Sequence, residues 1–469
     1  MPEKQTFRLK AHKDRGKIWL ALGGRKLAGR FGAFQTRCDY RRDLEAYMKN
    51  TGKKLKNSLC FLLIFLMALT GCDSDTEIKP NAKEIADISP AAGFLAAQVE
   101  KTRGFIAGPI ENGQKVSDYA YVYDNAVALM ALAEAGADWY VQRLADAFVF
   151  AQEHDRLFRD GRLRNAYTGG NPKSDSGRSI TGGKVTIRLP GFWEKGRWQE
   201  DYYMVSTSTG NMAWVMLALC KAAERAMPEK KEEYIQAAMR AADFVLTLKD
   251  KKGGFTGGYE GWDETQIKAR HKSTEHNIDL ISAFRCLAKA AAEKNAGKAE
   301  EYRAAAEHAK EFVLSMYDPK LHCFYAGTEA DGITLSKGVY PLDTNSLAIL
   351  ALKEMKEKEE ILAFAEENMM VGGGFDFSAG DLDGIWNEGT AQMALCYHQL
   401  EKSEKYEAIL RYLKTQLSPD GSIPAADRDG VSTGFTVSGA EVLWEYHNTQ
   451  SIGATAWYAL AQMKANPLR

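Results

Sequence analysis

Five carboxylates stand at or just inside the polar openings of apolar helical segments. They are Asp124 in Tyr123-Asp124-Asn125, Glu275 and Asp279 in Glu275-His276-Asn277-Ile278-Asp279, Asp343 in Asp343-Thr344-Asn345, and Glu388 in Trp386-Asn387-Glu388. Two carboxyl groups held in different protonation states can open an acetal, one protonating the leaving oxygen while the other acts as base or nucleophile. Residues 273–279 are the densest stretch: Glu275 and Asp279 are four apart and share a helical face, and His276 and Asn277 add donors. Before Asp124 the tyrosines alternate, in Asp118-Tyr119-Ala120-Tyr121-Val122-Tyr123, and burial beside such rings raises a carboxyl pKa. A plainer role competes at every one of these positions. An acidic side chain at a helix start can simply cap free N–H groups, and Asp343, followed by Thr344 and Asn345, suits that role equally well.

Aromatic residues crowd the loops that lead into these openings. Residues 191–203 contain Trp193, Trp198, Tyr202 and Tyr203, residues 257–264 contain Tyr259 and Trp262, and Trp386 and Trp444 stand near two further openings. Flat rings beside carboxylates suit the apolar faces and polar edges of sugars, although packing of the loops onto the fold would use the same rings. Candidate ligand-binding residues are therefore Tyr123, Trp193, Trp198, Trp262, His276, Asn277, Asp279, Asp343, Trp386 and Glu388, with Asp124 and Glu275 as the candidate catalytic pair. His271 and His276 are five apart, which is poor for a shared helical face, and no metal site is expected. The chain carries no phosphate loop, dinucleotide fingerprint, HExxH helix or nucleophile elbow, and no cofactor is expected.

Positioning these groups requires helices of two kinds. Six segments are apolar on nearly every side and must be buried on every side: those that follow Asn125, Asn211, Asn277, Asn345, Glu388 and Gln450. Between them lie amphipathic helices, clearest in residues 231–249 and 298–316 and weaker in 82–101, 139–153, 357–369 and 402–416. Six buried and six half-buried helices in alternation predict an all-α fold, an (α/α)6 toroid with an inner and an outer ring. An open superhelical array is the rival. Gly253-Gly254, Gly372-Gly373-Gly374 and Asp420-Gly421 supply turns. In a closed ring the inner helices run parallel, so their openings meet at one mouth.

The chain has 469 residues, 45% hydrophobic and 26% charged, with a formal net charge of −1. No basic excess points to nucleic acid. Residues 1–47 match nothing downstream and read as a mis-called extension, with Met48 as the start. Lys49, Lys53, Lys54 and Lys56 precede an apolar run at 59–69, too short to span a bilayer, which is the pattern of a secretory signal. Leu69-Thr70-Gly71-Cys72 resembles a bacterial lipobox. That resemblance implies cleavage of a signal peptide at 48–71, lipid on Cys72, a tether at 72–84 and a placement in the cell envelope. Cys220, Cys286 and Cys396 lie among apolar helical residues and read as free thiols; Cys323 is in a loop.

The hairpin count, with acidic and aromatic residues at the inner-helix starts, resembles the six-hairpin glycosidase superfamily over residues 85–469. The resemblance implies a toroidal catalytic domain that hydrolyses glycosidic bonds, with Asp124 and Glu275 as the pair and Asp343 and Glu388 next. The expected partners are an oligo- or polysaccharide and, through Cys72, a membrane; the chain is expected to act as a monomer. Three other readings stay open. A uronate lyase or sugar epimerase on the same ring would draw on Tyr121, Tyr123, Arg270 and His276. A glycan-binding lipoprotein would need only the aromatic loops. The Gly-Gly-Phe turns at 253–255 and 373–375 are similar to those of isoprenoid cyclase and prenyltransferase toroids.

Overall fold

The computed structural model describes residues 81–469, apart from 112–113, 116–117, 174–176, 179–184 and 437–441, together with three short strands near the N-terminus. The chain divides into two units, Met1–Glu77 and Ile78–Arg469. In the first, His12–Asp14, Lys17–Leu22 and Arg25–Leu27 pair antiparallel in sequence order. The expected signal peptide at 48–71, Cys72 and most of the tether lie outside the described residues.

The second unit is built from fourteen helices among the described residues. They are α1 Ala82–Ile88, α2 Pro90–Thr102, α3 Val122–Glu134, α4 Asp138–Glu153, α5 Tyr202–Val205, α6 Thr209–Arg225 and α7 Pro228–Leu246. The series continues with α8 Thr274–Ala291, α9 Ala296–Ser315, α10 Leu342–Ala351, α11 Lys358–Met369, α12 Asn387–Gln399, α13 Ser403–Thr415 and α14 Ile452–Gln462. The six near-uniformly apolar segments are α3, α6, α8, α10, α12 and α14. Each packs on the next in that order, and α14 packs back on α3. Around them α4, α7, α9, α11 and α13 each pair with the inner helix just before them in the chain. The sixth outer position is filled from the other end of the chain, since α2 packs on α14. This is a closed (α/α)6 toroid, and the open array is excluded.

The closure has its own polar joint. Ser89 caps α2 through the Ala92 N–H and donates its hydroxyl to Gln462 at the end of α14, at 2.7 Å. Gly421 lies against the Pro90 carbonyl, where a Cβ would come within 2.3 Å; its φ of 95° is one that glycine adopts without strain. Burial follows the sequence pattern. In α14 every residue from Ile452 to Ala461 is buried, whereas α13 buries only Tyr406, Ile409 and Leu413. Cys220, Cys323 and Cys396 are buried, Cys286 is half-buried, and all four are free thiols.

Two features depart from the sequence reading. The outer segment at 82–101 is two helices, because Ser89 is extended and Pro90 cannot donate to a continuing helix. The long connections are also not bare loops: they pair into short antiparallel hairpins such as Gly191–Glu194 with Arg197–Glu200 and Val431–Thr436 with Leu443–Tyr446. Backbone groups in a long loop must find partners, and local pairing supplies them.

One device repeats in all six inner helices. The fourth residue accepts a hydrogen bond from a backbone N–H in a loop packed beside it. Asn125 takes Ile106 at 2.7 Å, Met212 takes Leu163 at 3.2 Å through sulfur, and Asn277 takes Phe255 at 2.8 Å. Asn345 takes Phe324 at 3.1 Å, Thr390 takes Phe375 at 3.0 Å, and Thr455 takes Ile423 at 3.1 Å. Asn125 and Asn277 also donate back to the same loop residue, and Asn345 donates to Pro341. The fourth residue therefore pins the wall. The second residue lies about 200° away around the helix and points to the other side.

Candidate active site

The second residues of the inner helices are Tyr123, Gly210, Glu275, Asp343, Glu388 and Gly453. Glu275, Asp343 and Glu388 lie near enough there for their charges to act on one another, with Asp124, the third residue of α3, beside Glu388. Tyr123 donates its hydroxyl to Glu388 at 2.5 Å and accepts the Trp457 indole N–H at 2.7 Å. Gly453 lies against one oxygen of each carboxyl: a Cβ there would be 2.8 Å from Glu388 Oε2 and 3.0 Å from Asp124 Oδ1. Gly210 has the same role elsewhere on the ring, where a Cβ would meet the His276 ring at 2.4 Å. In both cases a third-position side chain leans over a second-position glycine on the preceding inner helix. The toroid thus repeats the arrangement with Asp124 in one place and His276 in the other.

One turn deeper, the sixth residues form a floor. Trp214 and Trp457 are in edge contact at 5.6 Å, and Tyr123 stands on Trp214 at 5.4 Å. Asp279 is also a sixth residue; it is fully buried, and neither carboxyl oxygen has a hydrogen-bond partner. The Trp214 indole N–H lies near it without an aligned hydrogen bond.

The caps are elsewhere. Ser273 caps α8 by accepting the His276 N–H at 3.1 Å, and Ser451 caps α14. The cap positions of α3, α10 and α12 are Tyr121, Pro341 and Trp386, none of which makes a side-chain cap bond. None of the five carboxylates is an N-cap, and Asp343 leaves Oδ1 unpartnered.

Electrostatics follow from crowding like charges out of water. Burial raises Asp124 and Asp343 to about 7, the latter against the Thr344 N–H. Burial raises Glu388 to about 8; the Tyr123 hydrogen bond opposes this, and Asp124 and Asp343 add to it. Glu275 is driven well up by burial and then by Asp343, Asp279 and Glu388, and Asp279 by burial and Asp343. Among the described residues no Lys or Arg hydrogen-bonds or pairs with any of the five, and none acts on their ionisation. His276 is held neutral, lowered to about 3 by burial and by His271, and its Nδ1 is unpartnered.

Phenols surround the cluster. Tyr203, 37% exposed, is raised to about 12 by the desolvation of its inner part and by Glu275, Asp124 and Asp201. Tyr446 is raised strongly by burial and by Glu388, Asp343, Glu275 and Asp124, so it faces four of the five carboxylates. It stacks on Trp386 at 5.5 Å.

The structure sorts the remaining candidates. Trp386 is buried beneath Tyr446 and against Phe377. Asn277 points into the wall, its amide bonded to Phe255 and Ser273. Trp193 and Trp198 face each other across the hairpin at 5.7 Å and are 72% and 47% exposed. Trp262 packs on Tyr202 and donates to the Glu200 carbonyl. Among the described residues none of these three tryptophans hydrogen-bonds a carboxylate of the cluster. Sequence reasoning overlooked Tyr446, Gly453, Gly210, Trp214 and Trp457. A signal existed for four of them, because Gly210/Trp214 and Gly453/Trp457 repeat a Gly-x-x-x-Trp spacing at two inner-helix starts.

Away from this cluster, Asp376, Asp381 and Asp383 are the acidic group with metal-compatible spacing among the described residues, their ligand atoms within 4.8 Å of one another. Asp376 accepts N–H bonds from Phe377 and Asp383, and Asp383 accepts one from Ser432, which ties this loop to the neighbouring hairpin.

No protein-family model matches the chain, and no curated protein matches it. Its fold is that of several solved structures. A wild-type glycosidase is 13% identical, with a TM-score of 0.54 over 85% of this chain and all of its own. An α-amylase from Clostridium perfringens is 10% identical, TM-score 0.54, covering 83% of this chain and 99% of its own. A sugar epimerase from a ruminal bacterium is 12% identical, TM-score 0.53, covering 80% and 98%. At these identities the likeness is one of fold, and the toroid spans nearly the whole of each neighbour.

Proposed function

We propose that the chain is a carbohydrate-active enzyme, a glycoside hydrolase working through its mouth carboxylates. One observation carries this reading. Five carboxylates are gathered at the inner-helix starts, none used as a cap and none paired with a cation. Retaining such a cluster costs stability, and a site that must protonate one oxygen while presenting another carboxylate is a reason to retain it. The aromatic floor of Trp214 and Trp457 and the phenols of Tyr203 and Tyr446 suit a sugar ring. Solved neighbours of the same fold include glycosidases, one of them in complex with glucose.

The cluster argues against the uronate readings. A lyase that removes a proton beside a substrate carboxylate needs a cation there, and among the described residues the cluster offers a uronate none. Substrates are therefore neutral or amino sugars. The exposed Trp193–Trp198 hairpin would bear on glycan units beyond the reacting one. The N-terminal pattern ending in Cys72 supports a lipid-anchored, envelope-facing enzyme; loss of labelled palmitate incorporation in Cys72→Ala checks this.

The decisive experiment incubates the chain with neutral, amino and uronic polysaccharides and counts new reducing ends. Release from neutral or amino glycans, lost in Asp124→Asn and Glu388→Gln, supports hydrolysis. An unsaturated product from uronic glycans would favour the lyase, and retention of glycans without cutting would favour a binding protein.

A further inference from the structure

The geometry at Gly453 bears on which carboxylates react and on the stereochemistry, and it rests on the hydrolase reading above. Glu388 Oε2 and Asp124 Oδ1 lie 2.8 and 3.0 Å from one point, the place of a Cβ on Gly453, so these two oxygens are less than about 6 Å apart. Inverting hydrolysis sets its carboxyl groups roughly 6.5–9.5 Å apart to fit a water between base and sugar, whereas a nucleophile and its acid partner stand at about 5–5.5 Å. The two oxygens of Glu388 are also unlike. Oε1 takes the Tyr123 hydroxyl, itself held by the Trp457 indole, and Oε2 is left facing Asp124. Among the described residues Asp124 has no donor to its carboxyl.

We propose that Glu388 is the nucleophile and Asp124 the acid–base, that Gly453 is the positioning residue that lets them approach, and that hydrolysis proceeds with retention of anomeric configuration. Glu388 Oε2 attacks the anomeric carbon as its bond to the leaving oxygen breaks. The electron pair goes to that oxygen, which takes the proton of Asp124. Asp124, now ionised, then removes a proton from water. The water oxygen attacks the anomeric carbon, the ester bond breaks, and its electron pair returns to Glu388. Two features of the site suit this division of labour. The Tyr123 hydrogen bond to Oε1 favours the ionised form of Glu388, although burial and the neighbouring carboxylates still hold it at about 8, and Asp124, with no donor to its carboxyl, is raised by burial to about 7 and can hold a proton near neutral pH. Once Glu388 is esterified its charge is gone, so Asp124 ionises more readily in time for the second step. Glu275, whose ionisation is governed by Asp343, Asp279 and Glu388 besides burial, is then a supporting carboxylate.

The test follows the anomeric proton of the first-formed product by NMR, using any glycan or aryl glycoside that the chain cuts. The expected hemiacetal has the configuration of the substrate. An inverted product overturns this proposal and leaves the hydrolase reading intact, and failure to cut any glycan removes both. Azide then separates the two roles on an aryl glycoside with a good leaving group. Glu388→Gly should yield a glycosyl azide of inverted configuration and Asp124→Ala one of retained configuration; the reverse pattern exchanges the roles and overturns the assignment. Gly453→Ala should lower kcat about 100-fold with KM little changed, as a displacement of about 1 Å at the reacting groups would. An unchanged kcat in the folded variant would remove Gly453 from its positioning role.

Discussion

Asp155, Arg164, Asp263, Arg156 and Glu200 form one chain of alternating charge, while Asp124, Glu275, Asp279, Asp343 and Glu388 form a cluster of a single sign. The alternating chain is held by contacts of 2.5–2.7 Å: Arg164 to Asp155 and Asp263, and Arg156 to Asp263 and Glu200. Arg164 is wholly buried and also donates to the Val205 carbonyl at 3.1 Å, so these charges staple α5, which carries Tyr203, to the loop that carries Trp262. Burial pushes Asp155 and Asp263 up, but the guanidiniums overcome it and hold both below the usual carboxylate range. In the single-sign cluster burial is unopposed by any cation, and every member is raised. One region uses its charges for structure. The other gives up stability to keep carboxyls poised near neutral pH, as a reactive site requires.

Breaking the structural side of this comparison should have the largest effect. Arg164→Met leaves Asp155 buried and unpaired, and should cost about 3–5 kcal/mol in a denaturant titration; Arg164→Met with Asp155→Leu should recover some of it. Breaking the other side should do the reverse to stability. Glu388→Gln should cut turnover roughly 1,000-fold or more and yet raise Tm at pH 8, because it removes a half-buried group that resists ionisation.

The two regions also differ in the sign of their pH dependence. Carboxyls raised from about 4 to about 7 or 8 bind more protons folded than unfolded, so their contribution is full below pH 4 and is lost as pH rises to about 8. Asp155 and Asp263 are lowered, so theirs is present above pH 4 and is lost as pH falls below it. Thermal melts should therefore show wild type losing stability between pH 5 and pH 8, with Asp124→Asn/Asp343→Asn flattening that slope and Asp155→Asn leaving it unchanged.

Smaller changes refine the picture. Asn345→Ala strands the buried Phe324 N–H and should cost about 1–3 kcal/mol, marking the fourth-residue clamp as structural. Trp193→Ala should leave Tm within about 1 °C and raise KM roughly three- to tenfold on long glycans only. An equal rise on the shortest substrate would place Trp193 at the reacting sugar.

The ring was legible because burial on all sides leaves a local mark. A helix such as α14 has no wet face, so its apolar residues need no period, and six such runs between six amphipathic ones leave few architectures. Asp124, Glu275, Asp343 and Glu388 were legible for the same reason, as polar residues at the edge of apolar runs. Local pattern could not say which way each side chain turned. Asn277 and Glu275 are two residues apart and look equally functional in sequence, yet one pins the wall and the other enters the cluster, because two residues on a helix turn it through about 200°.

What the chain determined by itself was therefore the repeat, the helix types and the class of residue at each inner-helix start. Which of those residues meet was decided only by closure of the ring. Tyr123 reaches Glu388 across 265 residues and Trp457 across 334, and Gly453 matters only because α14 returns to lie between α3 and α12. Contacts of that range carry no periodic signature; they exist once the last inner helix packs against the first and brings the half-buried Asp124, Glu275, Asp343 and Glu388 to one mouth.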